Sequence, residues 1–427
     1  RENRRHMADT ILTNLNIWNG LGDSLDQHHS SIRIRDGKIV ALENVQDAPG
    51  AINMAGVYVT PGLIDAHVHM CLDPEIRDPF AHGKIKRELL IEQMIERSQS
   101  MLAAGITTAR DLGGGKWLEL AVRDMINSGE VVGCRLVCAG QPITSVKGHC
   151  HFWGGEAEGV EQALEVLARQ HARGVDLIKV MATGGSITPD SAPKDAQFSS
   201  SIMKSIVARA NELEYTVAAH CHGTEGIRHA AEAGVTTIEH CSWVGEEGWG
   251  KAYDPEVVEK IVANDVRVSP TVNAGWKRYI GTQKFEGMMM DNYRKMKQAG
   301  VKLIASTDAG IPGVIHHHLP LAIPVFAHFA ELTPVEALKS ATSDCAEAIG
   351  LGDQVGQISP DFSADLVFYA DDPTANLEAL ATPLRVNSNG RRPCRPVSCG
   401  LGSFWPLCLA SLVRPLAVHG RQPSRSS

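Results

Sequence analysis

Short apolar runs alternate along this chain with longer stretches in which apolar residues return every three or four positions. The runs Tyr58–Val68, Ile106–Asp111, Arg135–Ala139, Leu177–Ala182, Thr216–His220, Thr237–Cys241, Arg267–Thr271 and Lys302–Thr307 are apolar or β-branched, the pattern of buried strands. Stretches such as Val160–His171 and Ser201–Leu213 carry the helical period instead. Gly105, Gly174, Gly234 and Gly300 stand where a helix must stop before the next strand begins. Eight strands alternating with helices predict an α/β fold, a (β/α)₈ TIM barrel spanning residues 61–350. Its last helix has a clear start: Thr333 can cap it, Pro334 suits its first turn, and Glu336 completes a capping box.

The two ends read differently. Ile11-Leu12, Ser31–Arg35 and Lys38–Leu42 are short strands with Asp36-Gly37 as a hairpin turn, and Ala364–Tyr369 is another strand. They predict a small β-sandwich domain assembled from residues 7–60 and 351–385. From 386 to 427 prolines and serines break any periodicity, so this segment is expected to be a poorly ordered tail.

Composition narrows the function classes. The 427 residues are 43% hydrophobic and 21% charged, as in ordinary globular proteins. With 41 Lys+Arg against 49 Asp+Glu the net charge is −8, which argues against nucleic acid as a partner. No stretch has the roughly 20 apolar residues that a membrane span requires. Arg1–Thr10 carries charge with no apolar segment behind it, so no secretory leader is expected. Cys71, Cys134, Cys138, Cys150, Cys221, Cys241 and Cys345 form no CxxC pair, which fits core residues of a cytoplasmic protein.

Barrel enzymes work at the C-terminal ends of their strands. There this chain places His67 and His69, Lys179, His220, His240 and Asp308. Two histidines two residues apart on a strand share a face, so both can reach one ion, although an HxH also occurs as a solvated pair. Lys179 lies in an apolar strand, where an ammonium is costly. It either snorkels to a carboxylate or changes chemistry, since CO₂ adding to a neutral amine gives a carbamate able to bridge two metals. A lone histidine is more often a core residue, and a strand-end aspartate more often a cap. Six such residues at one end of five strands are hard to explain as independent accidents.

The segments PGLIDAHVHM, DLIKVMATGG, AAHCHG, TIEHCSW and ASTDAG together resemble the amidohydrolase superfamily of metal-dependent hydrolases. The resemblance is strongest to the branch with imidazolonepropionase-related enzymes, Xaa-Arg, Xaa-Lys or Xaa-Pro dipeptidases and carboxypeptidases, and some herbicide and mycotoxin amidases. It implies two divalent ions, most simply Zn²⁺. His67 and His69 would bind one with Asp308, His220 and His240 the other, and N6-carboxylated Lys179 would bridge them. It also implies a metal-bridging hydroxide as nucleophile, Asp308 as proton shuttle, and His149, in the Gly-rich His motif, as the group polarising the substrate carbonyl. His151 is the second choice.

Related dipeptidases often carry AHAYT after the fifth strand. Here His222 occupies the tyrosine position, so it becomes a candidate substrate-binding residue and dipeptide specificity transfers less securely. Arg278 and Tyr279 are candidates for holding a substrate carboxylate, and His317, within His316-His317-His318, for lining the pocket. The resulting expectation is hydrolysis of C–N bonds in small molecules, dipeptides or N-acyl amino acids, by a homo-oligomer. The alternatives are a cyclic-amide or carbamate hydrolase, and a catalytically silent barrel relative used in assembly. The complete set of six ligands argues against the silent relative.

Overall fold

The two helical stretches form helices at Gly159–Ala172 and Ser200–Glu212. Gly105, Gly174, Gly234 and Gly300 all adopt positive φ, and Gly234 shows why: at φ 73° it caps Thr224–Ala233 in the left-handed conformation that a side chain would penalise. The capping box of Thr333 and Glu336 is formed at the start of Pro334–Ser340. These features come from a computed structural model, which describes residues 9–388 and, by backbone alone, 391–394. The rest of the predicted tail, and residues 7 and 8 of the predicted β domain, lie outside the described residues.

The chain begins with strands β1 (Thr10–Ile17), β2 (Ser31–Arg35), β3 (Lys38–Glu43) and β4 (Ile52–Pro61). Next come β5 (Leu63–Val68), β6 (Ile106–Asp111) and β7 (Arg135–Cys138), then the two-residue pair β8 (Thr144–Ser145) and β9 (Glu156–Ala157). β10 (Ile178–Met181), β11 (Val217–Gly223), β12 (Thr237–Val244) and β13 (Arg267–Ser269) follow, and β14 (Leu366–Tyr369), β15 (Arg385–Ser388) and β16 (Arg391–Cys394) close the series. The run read as one strand from Tyr58 to Val68 is therefore two strands, divided at Gly62, where an added Cβ would land on the Thr107 side chain.

The body is α/β with parallel sheets, β5-β6-β7 and β10-β11-β12-β13. Single parallel bridges, Ile143 to Val180, Val268 to Leu303 and Val68 to Ala309, stand where the ladders are interrupted. The eight-stranded ring expected from the sequence is thus not a continuous ladder. Its weakest arc is the predicted eighth strand, Lys302–Thr307, which forms only the one bridge at Leu303. The Thr307 amide donates to the Asp65 carboxylate rather than to a neighbouring backbone, and the chain turns at Asp308 with φ 61°.

The terminal strands form one seven-stranded sheet in the order β16-β15-β14-β4-β1-β2-β3, rather than the expected sandwich. The reason is closure. Ile39 of β3 exchanges hydrogen bonds with Asp361 and Phe362, on the chain leading into β14, so the sheet curls on itself. Leu12, Ile17, Ile32, Ile39, Val59, Leu366 and Phe368 pack together in one cluster on this sheet. Residues 386–388, which composition placed in the tail, belong to β15, where buried Val386 pairs with Val367. Arg135 fastens this region to the body through Asp365, at 2.7 Å.

Candidate functional site

The parallel register brings the candidate residues to one end of the strands. His67 and His69 leave β5, and Lys179 lies on β10. His220 and His222 lie on β11, and His240 sits on β12 opposite Cys221. Asp308 arrives from the irregular eighth segment, its amide bonded to the His67 carbonyl at 2.9 Å. His240, Cys241, Trp243, Thr271 and Asp308 all hold φ between 50° and 69°. Left-handed backbone in non-glycine residues is uncommon, and its concentration here is the strain that functional sites carry. The residues open into a cavity of about 410 Å³, walled further out by Trp249, Trp276, Tyr279, Phe285 and Met289.

Each imidazole is tied at one nitrogen. His67 Nδ1 meets Glu239 at 2.9 Å and His69 Nδ1 meets the Gly113 carbonyl at 2.8 Å. His240 Nδ1 meets Thr271 Oγ1 at 2.8 Å, and His220 Nε2 meets the Gly184 carbonyl at 2.9 Å. A nitrogen facing a carbonyl or carboxylate carries the proton, so for His67 and His69 the Nε2 atoms bear lone pairs. Those two atoms are 3.3 Å apart, and Asp308 Oδ1 lies 3.2 and 3.4 Å from them. Three atoms this close, each able to offer a lone pair to one ion, fit a divalent metal.

The charge pattern agrees. Burial would lower the His67 pKa, but the Asp308 charge together with hydrogen bonds to Asp308 and Glu239 outweighs it and the net shift is upward. Burial would raise the Asp308 pKa, yet His67 and His69 hold it well below the usual carboxylate range. Lys179 is 1% exposed, and burial depresses its amine. Burial also drives His220 and His240 well below the ordinary histidine value. His67, His240 and Asp308 bring donor atoms within 4.8 Å of one another, as do His220, His222 and His240, so His240 links two candidate metal groups.

Sequence reasoning missed what lies beneath. Glu239 takes His67 Nδ1 on one oxygen and Arg110 on the other, at 2.8 Å, with Thr237 donating to the same oxygen as Arg110. Arg110 also donates to the Ala66 carbonyl. Burial alone would raise the Glu239 pKa, but Arg110 and His67 hold it low. Asp65 bonds the amides of His67 and Thr307 and the Thr307 hydroxyl, tying the first strand to the eighth segment. The apparent signal was a charged residue inside an apolar strand, visible at Asp65, Arg110 and Glu239 alike.

His149 lines the cavity, stacked on His220 at 4.4 Å. The Thr188 hydroxyl accepts from the Cys150 amide and lies 2.9 Å from His149 Nδ1, a partner that suits the tautomer carrying its proton on Nε2. Burial pushes the His149 pKa down to about 3, so the ring is neutral. Gly185 makes room for it: a Cβ there would fall on the imidazole.

Not every predicted residue converges. His151 is outside the cavity lining, because Cys150 turns the chain at φ 55° and the ring packs instead near Phe80 and Phe152. His317 lines a different hollow with Asp73, Glu75, Glu96 and Arg97, since its neighbour His316 is anchored to the His69 carbonyl. Arg278 and Tyr279 do line the cavity, the guanidinium lying 4.6 Å from the tyrosine ring centre and donating to its hydroxyl. His222 lines it too, beside the other imidazoles.

Known proteins resemble this chain in sequence and in fold. The chain is 26% identical over 359 residues to an ochratoxinase of Aspergillus niger, covering 76% of this chain and 73% of that one. It is 24% identical over 382 residues to an imidazolonepropionase of Fusobacterium nucleatum, covering 80% and 85% respectively. A solved Xaa-Pro dipeptidase with bound methionine superposes with a TM-score of 0.78 at 24% identity, covering 90% of this chain and 99% of the other. The profile of the amidohydrolase family matches residues 58–391, most of the chain, and this protein belongs to that family.

Proposed function

We propose that the protein is a binuclear metal-dependent amidohydrolase that cleaves amide or peptide C–N bonds, with dipeptides or N-acyl amino acids as substrates. The observation that carries this is the convergence of His67 Nε2, His69 Nε2 and Asp308 Oδ1 within 3.4 Å of one another. His67, His69 and Asp308 would hold one divalent cation, His220 and His240 the other, and a carbamate on Lys179 would bridge them. When bound, such a pair of ions, zinc in the simplest case, supplies Lewis acidity for carbonyl polarisation and water activation.

The chain's own groups do the rest. Asp308 is an anion at the floor of the cavity, positioned to accept a proton from the attacking water and return it to the leaving amine. Neutral His149 donates Nε2–H to the carbonyl oxygen as negative charge develops there. Arg278 at the cavity mouth offers a cation for a substrate carboxylate, with Tyr279 orienting it. The aromatic wall excludes water around the scissile bond.

We extend the reading to a (β/α)₈ barrel over 61–350, flanked by a small β domain from 7–60 and 351–385. We also extend it to a cytoplasmic, homo-oligomeric enzyme; the seven cysteines among the described residues, buried and free, suit a reducing compartment. The test is metal analysis of protein prepared with zinc and bicarbonate, followed by hydrolysis of a library of dipeptides, N-acyl amino acids and cyclic amides. Two ions per chain with turnover of one class is the expected result. Fewer than one ion per chain, with no turnover rescued by zinc and bicarbonate, overturns the proposal in favour of a silent relative.

A further inference from the structure

We propose that His222 is a third imidazole ligand of the second cation, beside His220 and His240, and not a substrate-binding residue. The inference rests on the binuclear reading above and goes beyond the six-donor set on which that reading was built.

His220 and His222 are two residues apart on β11, so their side chains leave the strand on the same face. This repeats the HxH spacing of His67 and His69 on β5. A donor atom from each of His220, His222 and His240 lies within 4.8 Å of the other two, close enough for a small turn of the rings to bring all three onto one ion. The leftover nitrogens identify those atoms. His222 Nδ1 meets Ser242 Oγ at 2.9 Å, His240 Nδ1 meets Thr271, and His220 Nε2 meets the Gly184 carbonyl. What remains is Nε2 of His222, Nε2 of His240 and Nδ1 of His220.

The orientation of the His222 ring is fixed on several sides. It stacks on His240 at 4.5 Å with 20° between planes and meets His220 edge-on at 4.6 Å. Trp249 packs edge-on against it at 4.7 Å, and its backbone amide is held by Thr183 Oγ1 at 3.0 Å. Tethering one ring nitrogen to present the other is how proteins prepare a histidine for a metal. The substrate carboxylate is then left to Arg278.

The experiment is cobalt titration of metal-free protein, wild type against His222→Phe, which keeps the flat ring that packs on His240 and Trp249. The readouts are the visible d–d bands of the bound cobalt and its dissociation constants by chelator competition. We expect wild type to take two ions per chain. His222→Phe should keep the first and hold the second on the order of 100-fold more weakly, with altered bands. Ser242→Ala, which releases Nδ1 without touching the ring, should weaken the second ion by about tenfold. Two ions bound by His222→Phe within about threefold of wild type, with superimposable bands, overturn the assignment. If circular dichroism shows that His222→Phe does not fold, Ser242→Ala carries the test, and unchanged affinity and bands there overturn it. Failure of the binuclear reading looks different, because wild type itself then binds fewer than two ions.

Discussion

Glu239→Gln is the most informative single change to the site. It preserves shape and removes one charge from a place where both partners are sealed from water: the Glu239 side chain is 0% exposed and that of Arg110 is 1% exposed. Breaking a buried ion pair by removing one partner costs about 3–5 kcal/mol, because the survivor stays buried without compensation. A second effect follows from donor geometry. Glu239 now accepts from Arg110 with one oxygen and from His67 Nδ1 with the other. Glutamine has a single acceptor oxygen, and the guanidinium claims it. Its NH₂ group then faces His67 Nδ1–H, donor against donor, and the imidazole relaxes by moving its proton to Nε2. That removes the lone pair His67 needs for a metal, and we expect cation affinity to fall by about 10–100-fold.

Chelator competition measures the affinity and urea unfolding the stability, at one pH and one metal concentration. Arg110→Met combined with Glu239→Gln frees the amide to turn its oxygen toward His67. The double variant should recover most of the stability and bring affinity back to within about tenfold of the parent. A Glu239→Gln protein that is folded and binds cations within about threefold of the parent refutes the claim that this carboxylate sets the state of His67.

Three further outcomes are expected. Asp308→Asn should lower turnover to less than about a tenth of the parent rate while the fold survives, and a faster variant contradicts its role as proton shuttle. Gly185→Ala places a methyl group on the His149 ring; the fall should appear in kcat more than in KM, by about 10²-fold, and equal losses in both would show that the ring acts on ground-state binding instead. Glu119 is 1% exposed with neither carboxyl oxygen partnered, and burial pushes its pKa up to about 8 from an ordinary 4.5, with the Asp111 charge adding. The folded protein therefore keeps a proton that the unfolded chain loses above pH 4.5, and stability falls as pH rises from there toward 8. Glu119→Gln should be more stable than the parent by on the order of 3 kcal/mol at pH 7 and no different near pH 4. Parallel stability-against-pH curves for the two proteins would refute this.

The strand and helix order was legible because buried parallel strands and amphipathic helices have different periods, and because Gly105 and Gly234 punctuate them. The eighth strand was read from apolar content alone. Its pairing was lost to a side chain, Asp65, that takes the Thr307 amide, and no local pattern announces such a substitution. The curl of the terminal sheet depended on residues 361–364 returning to β3, a contact between positions more than 300 residues apart. Histidines on strands could be placed by alternation, whereas those in loops could not. One residue with positive φ, Cys150, sends His149 into the cavity and His151 out of it. Arg110 and Glu239 were invisible as a pair because their partnership exists only once β6 and β12, in different sheets and 129 residues apart at these positions, bring their side chains together.

The fastening of the eighth segment by Asp65 makes that edge a seam. Opening a regular strand means unzipping rungs on both flanks, but releasing Thr307 means parting one carboxylate from one amide and one hydroxyl. Asp308 is the next residue, and its own amide is held by the His67 carbonyl, so one side-chain clamp and one backbone bond together set the carboxylate against the imidazoles. The reacting carboxylate thereby owes its place to the chemistry of one buried side chain, Asp65, as much as to any strand ladder.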